Sequence, residues 1–205
     1  TLIQSPADVV ALYAGNKLPH AKQTIGMETE ISLYARDAAG NLRGASAKEC
    51  ADLVESLKAQ GYPAQLEMAS ALEYASPAFR VTELHRMNET VREDLNVFAK
   101  AVRKADLHAG TAQLPFATLD SARTNLVDRE RARGLVEGMS RFKHSSFLKV
   151  TLLCTSTQVS VSYADSADLY KVLATGYALS PVIFALFADH PAFVDGGIDA
   201  RTHHP

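Results

Sequence analysis

Between Thr24 and Tyr34 the chain alternates apolar and polar residues without a break, and that pattern fits a half-buried β-strand and little else. Ile25, Met27, Thr29, Ile31 and Leu33 fall on one face; Gly26, Glu28, Glu30, Ser32 and Tyr34 fall on the other. Side chains two apart on a strand stand about 7 Å from each other, so Glu28 and Glu30 bring two carboxylates to one surface. Either water solvates them on an open sheet, or a hard divalent cation such as Mg²⁺ uses them as oxygen ligands.

The same alternation recurs twice. From Gln65 to Tyr74, Leu66, Met68, Leu72 and Tyr74 oppose Glu67, Ala69, Ala71 and Glu73, and the two glutamates share a face if the run is one strand. A turn at Ser70 would divide them between neighbours. In the region Lys149 to Tyr163, Thr157, Val159, Val161 and Tyr163 alternate against Ser156, Gln158, Ser160 and Ser162. Three strand regions with one polar face each predict an α+β fold: an antiparallel sheet with helices packed on one face.

The helices are marked by caps and by apolar residues at intervals of three and four. Ser5-Pro6 opens a short helix closed by Gly15. Ser46-Ala47-Lys48-Glu49 is a capping box for a helix through Gln60, stopped by Gly61, whose buried face is Cys50, Leu53, Val54 and Leu57. From Thr82, the spacing of Leu84, Met87, Val91, Leu95, Phe98 and Val102 predicts a long amphipathic helix. A charged helical stretch runs from Ser121 to about Gly138, and a capped helix starts at Ser166, which Pro181 should kink or divide before Ala188.

Several function classes are excluded or disfavoured by what is absent. With 21 Lys and Arg against 23 Asp and Glu, and no basic stripe, a nucleic-acid partner is not expected. Nothing reaches the apolar length of a membrane span, no basic-apolar leader opens the chain, and Cys50 and Cys154 make no disulfide framework, so a cytoplasmic protein with free buried thiols is expected. Gly-rich phosphate loops, the Gly-x-Ser-x-Gly elbow and Cys-x-x-Cys zinc spacing are all missing. Phosphate chemistry here would rely on metal held by carboxylates.

Taken in order, the motifs resemble the glutamate–cysteine ligase family in its plant-type and proteobacterial branch. Gly26-Met27-Glu28-Thr29-Glu30 is similar to that family's first acidic strand, and Leu72-Glu73-Tyr74-Ala75-Ser76-Pro77 to its second. Gly110-Thr111-Ala112-Gln113-Leu114-Pro115 resembles its Gly-Thr loop, and Arg129 and Arg131 fall in its arginine-containing segment. The closest resemblance is Cys154 to Val161, followed by Ala178-Leu179-Ser180-Pro181 and Ala185-Leu186-Phe187-Ala188-Asp189-His190-Pro191. Ser160 stands where the family pattern has asparagine, and Asp189-His190 where it has Asn-Ser.

The resemblance implies a sheet of the glutamine synthetase and guanidino-kinase type, here one partial catalytic domain over residues 1–205, matching the first half to two-thirds of a member. It implies ATP- and Mg²⁺-dependent joining of the glutamate γ-carboxylate to the cysteine amine through a γ-glutamyl phosphate, the first step of glutathione biosynthesis. Glu28, Glu30, Glu73 and Glu67 become the expected metal ligands. Gln158, Ser160, Arg201, Thr111 and Thr155 become the expected substrate contacts, Arg201 for a substrate carboxylate and the threonines for orienting glutamate or a loop. Turn and strand roles for Thr111 and Thr155 stay open, and no catalytic residue is assigned. The partners expected are small-molecule substrates, with a homodimer as the possible assembly. A related ligase with another amine acceptor, and a non-catalytic binding module, are the alternatives.

Overall fold

The computed structural model describes residues 4–8, 11, 17–110, 125–126, 130–141, 152, 155–187, 193–194 and 197–198. Its frame is a seven-stranded antiparallel sheet built on one long strand. That strand, β1 (Thr24–Arg36), is two residues longer than the alternation predicts, because Ala35 and Arg36 pair with β2 (Leu42–Gly44). On one edge β1 pairs in turn with β5 (Phe79–Arg80), β4 (Ala71–Ala75) and β2; on the other with β7 (Thr157–Val161) and β6 (His108–Gly110). The strand β3 (Ala64–Leu66) lies outside β4.

The β1–β2 turn follows from its residues. Asp37 Oδ1 accepts from the N–H groups of Ala39 and Asn41, and Gly40 takes the positive φ that the tight reversal requires. The partner change from β4 to β2 occurs at Leu33, whose N–H donates to the Ser70 carbonyl while its own carbonyl accepts from Ala45.

Two helices cover the apolar face. In α1 (Ala47–Ala59), Ser46 caps the helix in a full capping box with Glu49, and Gly61 follows its end with φ +82°. Cys50, Leu53, Val54 and Leu57 are its buried residues, as the spacing predicts. In α2 (Leu84–Lys104), Val91, Phe98 and Val102 are buried, Met87 and Leu95 are partly buried against the core, and Leu84 at the first turn is exposed. These side chains meet Ile31, Leu33, Ala35, Leu72 and Tyr74 from the sheet in one core cluster. Phe98 stands edge-on to Tyr74 at 5.4 Å and to Tyr62 at 6.4 Å, and the Tyr74 hydroxyl donates to Asp94 at 2.8 Å. Burial among these groups pushes the Cys50 thiol up to about 12, so it behaves as a small apolar side chain.

One open alternative is decided and two sequence expectations are corrected. Gln65–Tyr74 is a hairpin, β3 and β4, turning at Ser70 with φ +50°. The third strand region starts at Thr157, and Leu152 lies in helical backbone, because the apolar run before it satisfies either period. The helix α4 (Ser166–Phe187) continues undivided through Pro181, with the Ser180 hydroxyl donating to the Gly176 carbonyl in the preceding turn. Its described side chains from Leu173 to Leu186 are exposed.

The helix α3 (Glu130–Arg141) covers only the later part of the charged stretch expected from Ser121 to about Gly138, since Asn125 is a turn and Leu126 is bridged to Ala69. A short two-stranded unit, β8 (Phe193–Val194) and β9 (Gly197–Ile198), stands apart from the main sheet. Most of the opening Ser5–Gly15 helix lies outside the described residues, though Pro6, Ala7 and Asp8 are helical. Among the described residues no helix is long and apolar enough to cross a membrane.

Candidate metal centre

The polar face of the sheet gathers the candidate site residues, and strand register decides which groups meet there. Glu30 on β1 lies directly opposite Glu73 on β4, and Glu73 lies opposite Gln65 on β3. Glu67 follows β3, and its N–H donates to the Ala71 carbonyl at 3.1 Å, which extends the hairpin register by one pair. Residues opposite one another in an antiparallel pair share a face, so Glu67 joins Ala71 and Glu73 on the polar side. The hairpin thus restores, by pairing across strands, the shared face that a single continuous strand would have provided.

The result is a cluster in which Glu30, Glu67 and Glu73 each place a carboxylate oxygen within 4.8 Å of the other two. All three side chains are half-buried. As anions at that spacing they repel one another, and a cation among them reverses the sign of the interaction. One hard cation with oxygen ligands at about 2.0–2.6 Å spans about 4–5 Å across its shell, which fits this donor set.

Glu30 is held from β7. Its Oε2 accepts from the Ser156 N–H at 2.7 Å, and its Oε1 accepts from the Gln158 amide at 3.3 Å. The same Gln158 nitrogen donates to the Ser156 hydroxyl at 3.1 Å, which fixes the amide beside the cluster. Gln158 faces Glu28 across the β1–β7 pair. Glu28 lies outside the three-carboxylate cluster and lines a neighbouring cleft of about 430 Å³, with Ser160 on its far strand.

Of the residues expected at a site, the fold therefore brings Glu30, Glu67, Glu73 and Gln158 together, with Glu28 and Ser160 next along the same face. The Thr155 hydroxyl is buried without a hydrogen-bond partner among the described residues. Thr111 and Arg201 lie outside the described residues, as do Cys154, Arg129 and Asp189. Ser156, which donates to Glu30 through its backbone, carries no sequence signal that singles it out. The stapling residues Ser76 and Ser162 likewise emerge only from the fold: Ser76 Oγ accepts from the Met27 N–H at 2.9 Å, and Ser162 Oγ from the Thr24 N–H at 2.7 Å.

Compared with known protein families, residues 24–197 match the model of the glutamate-cysteine ligase family 2. The matched span starts at the first residue of β1 and includes all seven strands of the main sheet. No curated protein matches the chain.

Proposed function

The chain belongs to the glutamate-cysteine ligase family 2, and from that premise we propose that it is an ATP- and Mg²⁺-dependent ligase. In this reading it joins the γ-carboxylate of glutamate to the amine of cysteine through a γ-glutamyl phosphate. The observation that carries the reading is the meeting of Glu30, Glu67 and Glu73 on the open face of the sheet.

Transfer of a phosphoryl group between two anions needs positive charge in place before the reaction starts. Mg²⁺, when bound, would neutralise the phosphate oxygens and the charge that develops on them. Glu30, Glu67 and Glu73 would hold it, with Glu28, next along the same face, as the further proposed ligand. The Ser156 N–H and the Gln158 amide keep Glu30 turned into the cluster, so that its carboxylate does not have to be reoriented as substrates bind. Gln158 and Ser160 extend the polar surface toward the substrate, and Thr155, Thr111 and Arg201 complete the proposed substrate contacts.

The amine acceptor is the point at which a second reading enters. Ser160 lines the cleft with a side chain shorter than the asparagine of the family pattern, which favours a related carboxylate–amine ligase with a different or larger amine. The two readings separate in one assay: phosphate release from ATP in the presence of Mg²⁺, glutamate and a panel of amines, with products identified by mass spectrometry. A γ-glutamylcysteine product supports the first reading, and a γ-glutamyl adduct of another amine supports the second. No amine-dependent phosphate release from any member of the panel would overturn both.

A further inference from the structure

Gly26 interrupts an otherwise well-formed strand, and the fold supplies no reason of its own for a glycine there. Its φ is not positive, since Gly40 and Gly61 are the glycines with that conformation among the described residues. Its register is regular, Gly26 facing Ser160 between the Ile25–Val161 and Met27–Val159 pairs, so no bulge is present. A Cβ at this position would meet Ser76 Oγ at 3.7 Å and the Pro77 carbonyl at 4.0 Å, both ordinary van der Waals contacts. A strand glycine that neither turns, bulges nor avoids a clash marks a close approach by something else.

The space above Gly26 is a built cleft. β4 ends at Ala75 and β5 begins at Phe79, and between them Ser76-Pro77-Ala78 leaves the line of the sheet while Ser76 alone keeps its bonds to Met27. The gap opens the cleft of about 430 Å³, with Gly26 and Glu28 on its floor, Ala75 and Ala78 on one wall, and Ser160 and Tyr163 on the other. That volume falls in the range of small-molecule pockets. Ser76 Oγ accepts from the Met27 N–H and donates to the Pro77 carbonyl, Ser162 Oγ accepts from the Thr24 N–H and donates to the Thr24 carbonyl, and the described walls contain no lysine or arginine.

We infer that the cleft over Gly26 holds an uncharged, hydrogen-bonding part of a substrate whose charged end lies at the carboxylate cluster, and that Gly26 sets specificity by leaving this space open. The inference rests on the ligase reading and names its subsite. Among the described walls no lysine or arginine is present to pair with a phosphate or carboxylate, whereas hydrogen-bond donors can reach the Ser160 hydroxyl. Two substrates offer such a part: the nucleoside of ATP and the body of the acceptor amine.

The test narrows the cleft from two sides, with Gly26→Ala on the floor and Ala78→Leu on the wall. KM values for ATP, glutamate and the amine are measured with kcat and the thermal midpoint, and binding of each is titrated calorimetrically in the presence of Mg²⁺. The expected result is a rise of about tenfold or more in the KM and Kd of one substrate, with the melting temperature unchanged or higher. A shift confined to ATP assigns the nucleoside, and one confined to the amine assigns the acceptor. Unchanged binding of every ligand in both variants, with wild-type turnover intact, overturns the cleft and leaves the ligase reading standing. A wild-type chain that binds none of the three overturns both.

Discussion

At the scale of single residues, charges on this protein do different work according to what faces them. Glu49 closes the capping box of α1 and also takes a two-pronged ion pair from Arg43, with contacts of 2.7 and 2.8 Å. The Arg43 guanidinium, followed by the Ser46 hydrogen bonds, outweighs partial burial and holds the Glu49 carboxyl down to about 2, against an ordinary value of 4.5. A depressed carboxyl contributes stability that is present above its unfolded value and lost as pH falls through its folded one. The loss therefore falls between about pH 4.5 and pH 2. Because the Arg43 and Glu49 side chains are 41% and 33% exposed, solvent screening limits the contribution to roughly 1 kcal/mol. Glu49→Gln keeps an N3 acceptor for the cap and removes the charge, so denaturant unfolding from pH 7 to pH 2.5 should show a flatter decline than wild type. Parallel curves would contradict this account of the pair.

At the scale of elements, the hairpin β3–β4 positions the candidate site, and its geometry depends on a contact remote from the carboxylates. Ser70 turns the hairpin with φ +50°, donates its hydroxyl to the Ala45 carbonyl at 2.7 Å, and leaves no room beside Gly44. A Cβ on Gly44 would stand 2.7 Å from Ser70 Oγ and 3.2 Å from Ser70 Cβ. Gly44→Ala should cost about 1–3 kcal/mol through forced displacement of the turn, and a fall in thermal midpoint would report it. Restoration of stability by Ser70→Gly in the double variant would trace the loss to this contact. An unperturbed Gly44→Ala midpoint would show that the turn gives way freely.

The elements also show what a sequence can and cannot disclose. α1 was legible to its cap and its buried face because capping box, apolar spacing and terminal glycine agree. β1 was legible because its alternation is unbroken. The hairpin was legible only as one of two alternatives, because Gln65–Tyr74 alternates straight through the turn, and the positive φ at Ser70 and the pairing of Leu66 with Leu72 decide for the reversal. β2 and β5 span three and two residues, too short for a period to register. Pro181 does not divide its helix, since the cost of one lost helical hydrogen bond is borne locally and α4 runs on.

At the scale of the whole molecule, the sheet separates two tasks. One face, under α1 and α2, buries the core cluster; the other carries the carboxylate cluster proposed to bind a cation. The carboxylates that meet there come from positions 30, 67 and 73, and their register is fixed by the side chains on the opposite face: Leu72 and Tyr74 are fully buried, as are Leu33 and Phe98. A one-residue slip of β4 would expose that row and scatter the cluster, so core packing and site geometry are set together. The shared face of Glu28 and Glu30 was readable from the alternation alone, but the membership of the cluster was not. Glu67 enters through the hairpin, and Glu28 stands one step along the face.

The central claim is that this cluster holds a divalent cation, and titration with Mn²⁺ followed by electron paramagnetic resonance tests it directly. Wild type is predicted to bind Mn²⁺ at a site from which Mg²⁺ displaces it, while Glu30→Gln and Glu73→Gln each bind at least about tenfold more weakly and keep the wild-type far-ultraviolet circular dichroism. Mn²⁺ binding that is unchanged in both variants would contradict it.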